Sequence, residues 1–403
     1  MQIPMSFRGT LTAQSVNRTG ANDTDVPLVI EDNCIYNISF YNIPYYIKNR
    51  PMAMKNVNFS QCEYTNCRVV YDGKNTSNIN AVIFDGRFVG KQVPFRPRDQ
   101  IWIFAAHESP AHLELSGVWH RPPWKNSFNW TMTYDQSTSD IYLPYGEIRT
   151  REKASYGKRN FTKIALNKKD GALIVMSNCN PHSKRGEYIN ALKQYFPITV
   201  LGHCGKKWSC GKQYIHDNCF AILNTTYTFF LAFENSLCRE YFTEKLFENY
   251  NNDILIVTRG GYKNESVLKF PAGSVISTNK FKSVKELGEY MSAIAKDPVM
   301  LAKMLQEKSK FYGVGYEKTL PRAMCDLCKM MNNQKKYHRE IKDIGERMYQ
   351  KAPCRKPDDV PVIPRNKSQP LDNKHPNNTR ANGSNGSHHA KKTNVDVHIT
   401  PIP

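Results

Sequence analysis

Ala172-Leu173-Ile174-Val175-Met176, then Asn180-Pro181, then a helical stretch over about 183–195, then Ile198-Thr199-Val200-Leu201, decides the fold. A short apolar run reads as a buried strand, Asn-Pro as a turn, and Tyr188, Leu192 and Tyr195 as one side of a helix. The rhythm repeats downstream. Tyr227-Thr228-Phe229-Phe230-Leu231 reads as a strand, followed by a helix near 239–250, a strand near 254–258 and a helix near 283–295. Strand–helix alternation builds a mainly parallel sheet covered by helices, with ligands at the carboxyl ends of its strands. Upstream, over about 34–165, the runs Ala81-Val82-Ile83-Phe84 and Ile101-Trp102-Ile103-Phe104 read as short strands between long polar connections. Residues 1–33 are polar and stem-like. Beyond about 355 the chain is rich in Pro, Asn, Lys, Ser and Gly, a composition that does not support a packed core.

The chain has 403 residues, a hydrophobic fraction of 40% and a formal net charge of +20. That size accommodates two α/β domains, and that charge suits an anionic partner. No nucleic-acid-reading module is visible, so a phosphorylated ligand fits better than nucleic acid. Thirteen Asn-x-Ser/Thr sequons occur, from Asn17 to Asn385, where chance gives roughly four or five. Eleven cysteines, among them Cys62-x4-Cys67, Cys204-x5-Cys210 and Cys325-x2-Cys328, agree with a secretory chain. No second CxxC or paired His completes a zinc set, so disulfides with one cysteine left over are expected, their connectivity open. The amino terminus carries neither a signal peptide nor a span of about 20 apolar residues. A secretory chain then implies an N-terminal anchor outside this sequence.

Three places could carry chemistry. On a helix over 239–250, Tyr241, Glu244, Lys245 and Glu248 share one face, which suits either a nucleotide-sugar pocket or a solvated surface. Ser183-Lys184-Arg185 begins a helix, where N–H groups and a guanidinium can meet a diphosphate, or where a basic first turn is simply exposed. Glu108, directly after the run at 101–106, can serve as a general base in a cleft or be ordinary surface. The Asp-x-Asp at Asp23-Thr24-Asp25 lies in the polar terminus and is not read as a metal site.

Four ordered blocks choose between these readings. Phe233-Glu234-Asn235-Ser236 followed by Tyr241-Phe242-Thr243-Glu244-Lys245 resembles the hallmark of the α-1,3-fucosyltransferases. Asn129-Trp130-Thr131-Met132-Thr133-Tyr134 with Ser139-Asp140-Ile141 and Pro144-Tyr145-Gly146, Ser177-Asn178-Cys179-Asn180-Pro181 with Arg185, and Glu108-Ser109-Pro110 resemble further blocks of that family. The resemblance covers about residues 34–330. It implies an α/β fold of GT-B architecture, two Rossmann-like domains facing across a cleft, with a disordered C-terminal tail. Residues 34–165 would hold the acceptor, 166–335 would hold GDP-fucose, and 336–403 would form a basic extension disordered after about 355. Glu108 would deprotonate the acceptor, Arg185, Tyr241, Glu244 and Lys245 would bind the donor, and Asn178, Glu234 and Asn235 would support its pocket. No metal is obligatory on this reading, with a divalent ion such as Mn2+ an optional aid. The expected partners are GDP-fucose and an N-glycan or N-acetyllactosamine-type acceptor on glycoproteins. The compartment would be the Golgi lumen, as a single-pass type II membrane protein.

Two departures stand out. Asp135-Gln136-Ser137-Thr138 replaces a shorter Arg-containing spacer, and Asp253-Ile254-Leu255-Ile256-Val257-Thr258-Arg259-Gly260 replaces the usual Pro-Val-Val-x-Gly strand. They motivate the alternative of an inactive, glycan- or nucleotide-binding relative. Arg322-Ala323-Met324-Cys325-Asp326-Leu327-Cys328 resembles the Cys-x-x-Cys ending of family members and fits either a core or an antennary acceptor.

Overall fold

The computed structural model describes residues 35–41, 51–71, 78–113, 117, 119, 121–152, 158–207, 223–262, 270–351 and 354–361. The stem-like segment 1–33 and the tail beyond 361 lie outside them. The first sheet is formed by β1 (Tyr36–Phe40), β2 (Cys67–Val70), β3 (Ala81–Asp85), β4 (Ile101–Ala106), β5 (Trp130–Thr133) and β6 (Ile141–Tyr142), in the order β2-β1-β3-β4-β5-β6. Every pairing in it is parallel. After β7 (Glu147–Thr150) the chain enters the second sheet, made of β8 (Lys169–Val175), β9 (Ile198–Leu201), β10 (Tyr227–Phe233), β11 (Leu255–Arg259) and β12 (Ile276–Ser277). Its order, β12-β11-β10-β8-β9, is again all parallel. Counted from its own first strand, each sheet begins 2-1-3-4-5, the doubly wound order whose switch point falls between strands one and three. The switch points are therefore β1/β3 and β8/β10. The two Rossmann-like halves implied by the family resemblance are present.

Strand faces explain the burial. All of β3, β4 and β5 is buried, as a parallel sheet covered on both sides requires. The helices of the chain include α1 (Pro51–Lys55), α2 (Pro110–Leu113), α3 (Phe161–Leu166), α4 (Arg185–Leu192), α5 (Glu244–Phe247), α6 (Val284–Lys296) and α7 (Pro298–Ser309). Ser283 caps α6 by accepting from the Glu286 N–H, and Asp297 caps α7 by accepting from Val299 and Met300. Leu287, Met291 and Ile294 of α6 then meet Ala172, Phe229 and Leu231 of the second sheet in one core.

β13 (Phe311–Val314) pairs antiparallel with β7 and carries the chain back to the first half. α8 (Tyr316–Asn332) buries Leu320, Met324, Leu327 and Met331 against Ile38, Ile83 and Ile103 of the first sheet. The return thus precedes the boundary expected at 335. α9 (Gln334–Tyr337) and α10 (Ile344–Lys351) follow. Ile341, Ile344 and Met348 join Trp102, Trp124 and Phe128 in a second core of that half, so this part of the basic extension is structural. The described chain continues to Pro361, past the limit expected near 355.

Disulfides fix this return. Cys62 pairs with Cys325 and Cys67 with Cys328, closing separations of 263 and 261 residues. Cys179 pairs with Cys204 and Cys238 with Cys354; Cys210 lies outside the described residues. Cross-links over long loops act largely on the unfolded chain. Replacing Cys67 and Cys328 together by serine is expected to lower stability by about 2–4 kcal/mol, read as an earlier urea midpoint; an unchanged midpoint contradicts the structural role.

Candidate functional site

The carboxyl edges of the two sheets meet. Ser109, just past β4, donates its hydroxyl to Ser236, just past β10, at 2.8 Å. Asp135, past β5, is fully buried and takes the Arg239 guanidinium through both oxygens at 2.8 and 3.0 Å. The Asp135-Gln136-Ser137-Thr138 spacer thus supplies a carboxylate that receives an arginine from the other half.

Glu108 sits on this seam. Tyr241 donates its hydroxyl to Glu108 Oε2 at 2.9 Å, and Arg87 lies 3.3 Å from Oε1. The Glu108 side chain keeps 20% exposure, so a ligand can reach it. Tyr241 itself is buried, packed edge-on to Tyr145 and tilted against Tyr134. Tyr145 donates to the His107 carbonyl and stacks on the His107 ring, fixing the strand end that carries Glu108. Burial pushes the Tyr241 phenol well above its usual range, and the surrounding Glu108, Tyr145, Glu234 and Glu244 push it further. It is a permanent donor.

The helix expected over 239–250 is only α5, Glu244–Phe247. The reason is Glu234, which is wholly buried and accepts both the N–H of Thr243 at 2.8 Å and its hydroxyl. That grip holds Thr243 extended (φ −110°, ψ −169°), and Glu240 before it is left-handed at φ 54°. Helix can therefore begin only after Thr243. Tyr241 does not share a helical face with Glu244, Lys245 and Glu248; it turns inward to Glu108. Gly260 packs directly against this turn, because a Cβ there would lie 2.8 Å from the Glu234 side chain and 2.9 Å from the Tyr241 carbonyl.

Lys245 reaches Thr243 Oγ1 at 2.8 Å and both Glu234 and Glu244 at 3.1 Å. Burial raises the Glu234 carboxyl, while Lys245 works in the opposite sense. Arg185 begins α4 as expected, but its side chain is buried and donates to the carbonyls of Phe233 and Asn178 at 2.7 and 3.3 Å. It therefore ties together the ends of β8 and β10, at the switch point. The Asn235 amide oxygen is buried beside them with no hydrogen-bond partner among the described residues. Arg259, from the altered strand, is buried, donates to the Ser183 carbonyl and pairs with Asp359 of the C-terminal segment through two bonds of 2.7 and 2.8 Å.

The structure thus gathers Glu108 with Tyr241 and Lys245 with Glu234 and Glu244, while Arg185 and Asn178 join at the switch point. Sequence reasoning missed Asp85 and Arg87. They belong to no motif, and only the position of Asp85 at the end of β3, beside a switch point, marks them. Burial pushes Asp85 up to about 6, with Glu108 adding to the rise and Arg87 opposing it. A carboxyl raised on folding binds its proton more tightly in the native state, so its stabilising contribution is lost as pH rises through about 6. Asp85→Asn is expected to raise the unfolding temperature at pH 7.5 and to have little effect near pH 4. A destabilised variant at pH 7.5 contradicts this. Among the described residues no group of three or more His, Cys, Asp or Glu is placed to hold a metal ion.

Fold and seam define a class: a two-half α/β protein with its ligand crevice where two sets of strand ends meet. Residues 41–146 match the family described as "Fucosyltransferase, N-terminal", and residues 165–347 match "Glycosyltransferase family 10 (fucosyltransferase) C-term". The chain belongs to glycosyltransferase family 10, the fucosyltransferases. It is 30% identical over 255 residues to alpha-(1,3)-fucosyltransferase C of Drosophila melanogaster, covering 59% of this chain and 56% of that protein. It is 26% identical over 290 residues to glycoprotein 3-alpha-L-fucosyltransferase A of the same organism, covering 71% and 54%. The chain thus spans a little over half the length of these relatives. A solved alpha1,3-fucosyltransferase with GDP-fucose shares the fold at a TM-score of 0.50 and 16% identity, covering 78% of this chain and 96% of that one. No helix among the described residues is long and apolar enough to cross a membrane.

Proposed function

We propose that the chain is the catalytic part of an inverting α-1,3-fucosyltransferase, moving L-fucose from GDP-fucose to N-acetylglucosamine of glycoprotein glycans. The observation that carries this reading is the Tyr241–Glu108 hydrogen bond across the seam, which sets a reachable carboxylate from the first half against the Glu234–Lys245 loop of the second. Glu108 takes the proton of the acceptor hydroxyl as that oxygen attacks the anomeric carbon from the face opposite GDP. The arginine beside Glu108 Oε1 aims the carboxylate, and Tyr241 holds its other oxygen. As the bond to GDP breaks, charge grows on the diphosphate. Lys245 and Arg185 supply positive charge where it develops. Glu244, 24% exposed beside Lys245, meets the ribose hydroxyls. Tyr241 supports the base on this reading, in place of the nucleotide contact expected from the motif. Asn178, Glu234 and Asn235 shape the donor pocket.

The division of labour follows: residues 34–165 serve the acceptor and 166–335 the donor, with α8 returned to the acceptor half. With charge met by side chains, a divalent ion such as Mn2+ is an optional aid. The four disulfides among the described residues and the sequons support an oxidising lumen, and the reading assigns the protein to the Golgi as a type II membrane protein. The test is transfer from labelled GDP-fucose to an N-glycan core glycopeptide and to N-acetyllactosamine, side by side. Product on either supports the transferase and identifies the acceptor class. Tight GDP binding with no product on either would favour a binding relative instead.

A further inference from the structure

Behind the seam, where the chain crosses between the halves, lies a cavity of about 130 Å3. Its walls include Arg151, just after β7, Arg159, just before α3, and Lys308, at the end of α7. The Arg151 N–H donates to the Lys310 carbonyl and its Nε to the Phe311 carbonyl, so the two crossing segments are joined here. Lys308 is 5% exposed, and its ammonium donates to the carbonyls of Tyr250 and Asn252. Asp253 is the carboxylate among the lining residues, and Arg159 holds it at 2.5 Å. Lys168 lies close by, donating to the Leu223 carbonyl at 2.7 Å.

Three cations therefore line this partly open space with one carboxylate, and a fourth, Lys168, lies near Lys308. Burial pushes Lys308 down to about 7, with Lys168, Arg159 and Arg151 lowering it further and Asp253 opposing them. Burial likewise pushes Lys168 down to about 8. Like charges gathered out of water repel strongly, and a buried ammonium without an anionic partner is costly. An anion in the cavity removes both penalties. At about 30 Å3 per water, the space holds roughly four waters, enough for a tetrahedral oxyanion. We propose that this cavity binds a small tetrahedral oxyanion, inorganic phosphate or sulfate or the phosphate of a small monoester, through Lys308, Arg151 and Arg159. Bound there, it pins the crossover between the halves. The site shares none of the residues assigned to the donor.

The test is thermal unfolding of the whole chain with GDP in excess, so that phosphate at the donor site is displaced. Sodium phosphate, sodium sulfate and ribose 5-phosphate are compared with sodium chloride at matched ionic strength. The oxyanions are expected to raise the unfolding temperature by about 2–4 °C over chloride, and Lys308→Met and Arg159→Gln to abolish the difference. A rise with ribose 5-phosphate as well as phosphate assigns the site to monoesters, and a rise with the inorganic ions alone assigns it to free oxyanions. Equal temperatures in all four salts, or a rise preserved in both variants, overturns the proposal. Should Lys308→Met fail to fold, Arg159→Gln decides alone, since the Arg159 side chain is 45% exposed.

Discussion

Replacing Glu108 by glutamine is expected to lower transfer by about 10²–10⁴-fold, the usual contribution of a positioned general base, while GDP affinity stays near that of the parent chain. The amide keeps the shape of the side chain and still accepts from Tyr241, so the seam is preserved. What it loses is the capacity to take a proton and the ion pair with Arg87. That pair is partly exposed and contributes at most about 1 kcal/mol to stability, so the variant is expected to fold. Transfer within threefold of the parent contradicts the assignment. Weakened GDP binding with unchanged turnover would move Glu108 from the acceptor side to the donor side.

Lys245→Ala is expected to cut donor use by about 10²–10³-fold, the range seen when one group that meets developing negative charge is removed. The substitution also strips buried Glu234 of its counter-charge, and an unpaired buried carboxylate is costly. Two effects are therefore mixed, and they can be separated. Lys245→Ala with Glu234→Gln restores a neutral pocket and is expected to recover stability without recovering activity. Recovery of activity in the double variant would mean that Lys245 serves folding alone. The measurement is the rate at limiting GDP-fucose, alongside urea unfolding of the same preparations.

Local pattern went far in the sheets and stopped at the seam. Ala81-Val82-Ile83-Phe84 and Ile101-Trp102-Ile103-Phe104 became β3 and β4 because a strand covered on both faces leaves an uninterrupted apolar run. The helix near 239–250 shrank to α5 because a carboxylate nine residues earlier, Glu234, captured the Thr243 N–H. No window of periodicity reveals a competitor of that kind. The cysteines announced an oxidising compartment, but pairing across 263 residues is decided by the return of α8 to the first sheet. The extension beyond 335 looked like basic tail because Ile341, Ile344 and Met348 are sparse among charged neighbours, although all three are buried. Glu108, Arg185, Glu244 and Lys245 stood out through ordered motifs, whereas Asp85 and Arg87 became visible only once β3 and β4 lay side by side. The altered strand before Gly260 also gained a reason, since Arg259 anchors the segment that carries Asp359.

The most direct test of the central claim is the anomeric linkage of the product. The chain is incubated with GDP-fucose and an N-acetylglucosamine-containing acceptor, and the new bond is read by proton NMR. The account predicts fucose joined in the α configuration at O3 of N-acetylglucosamine, inverted from the β configuration of the donor. A product that retains the β configuration, or no transfer by folded, GDP-binding protein, would contradict it.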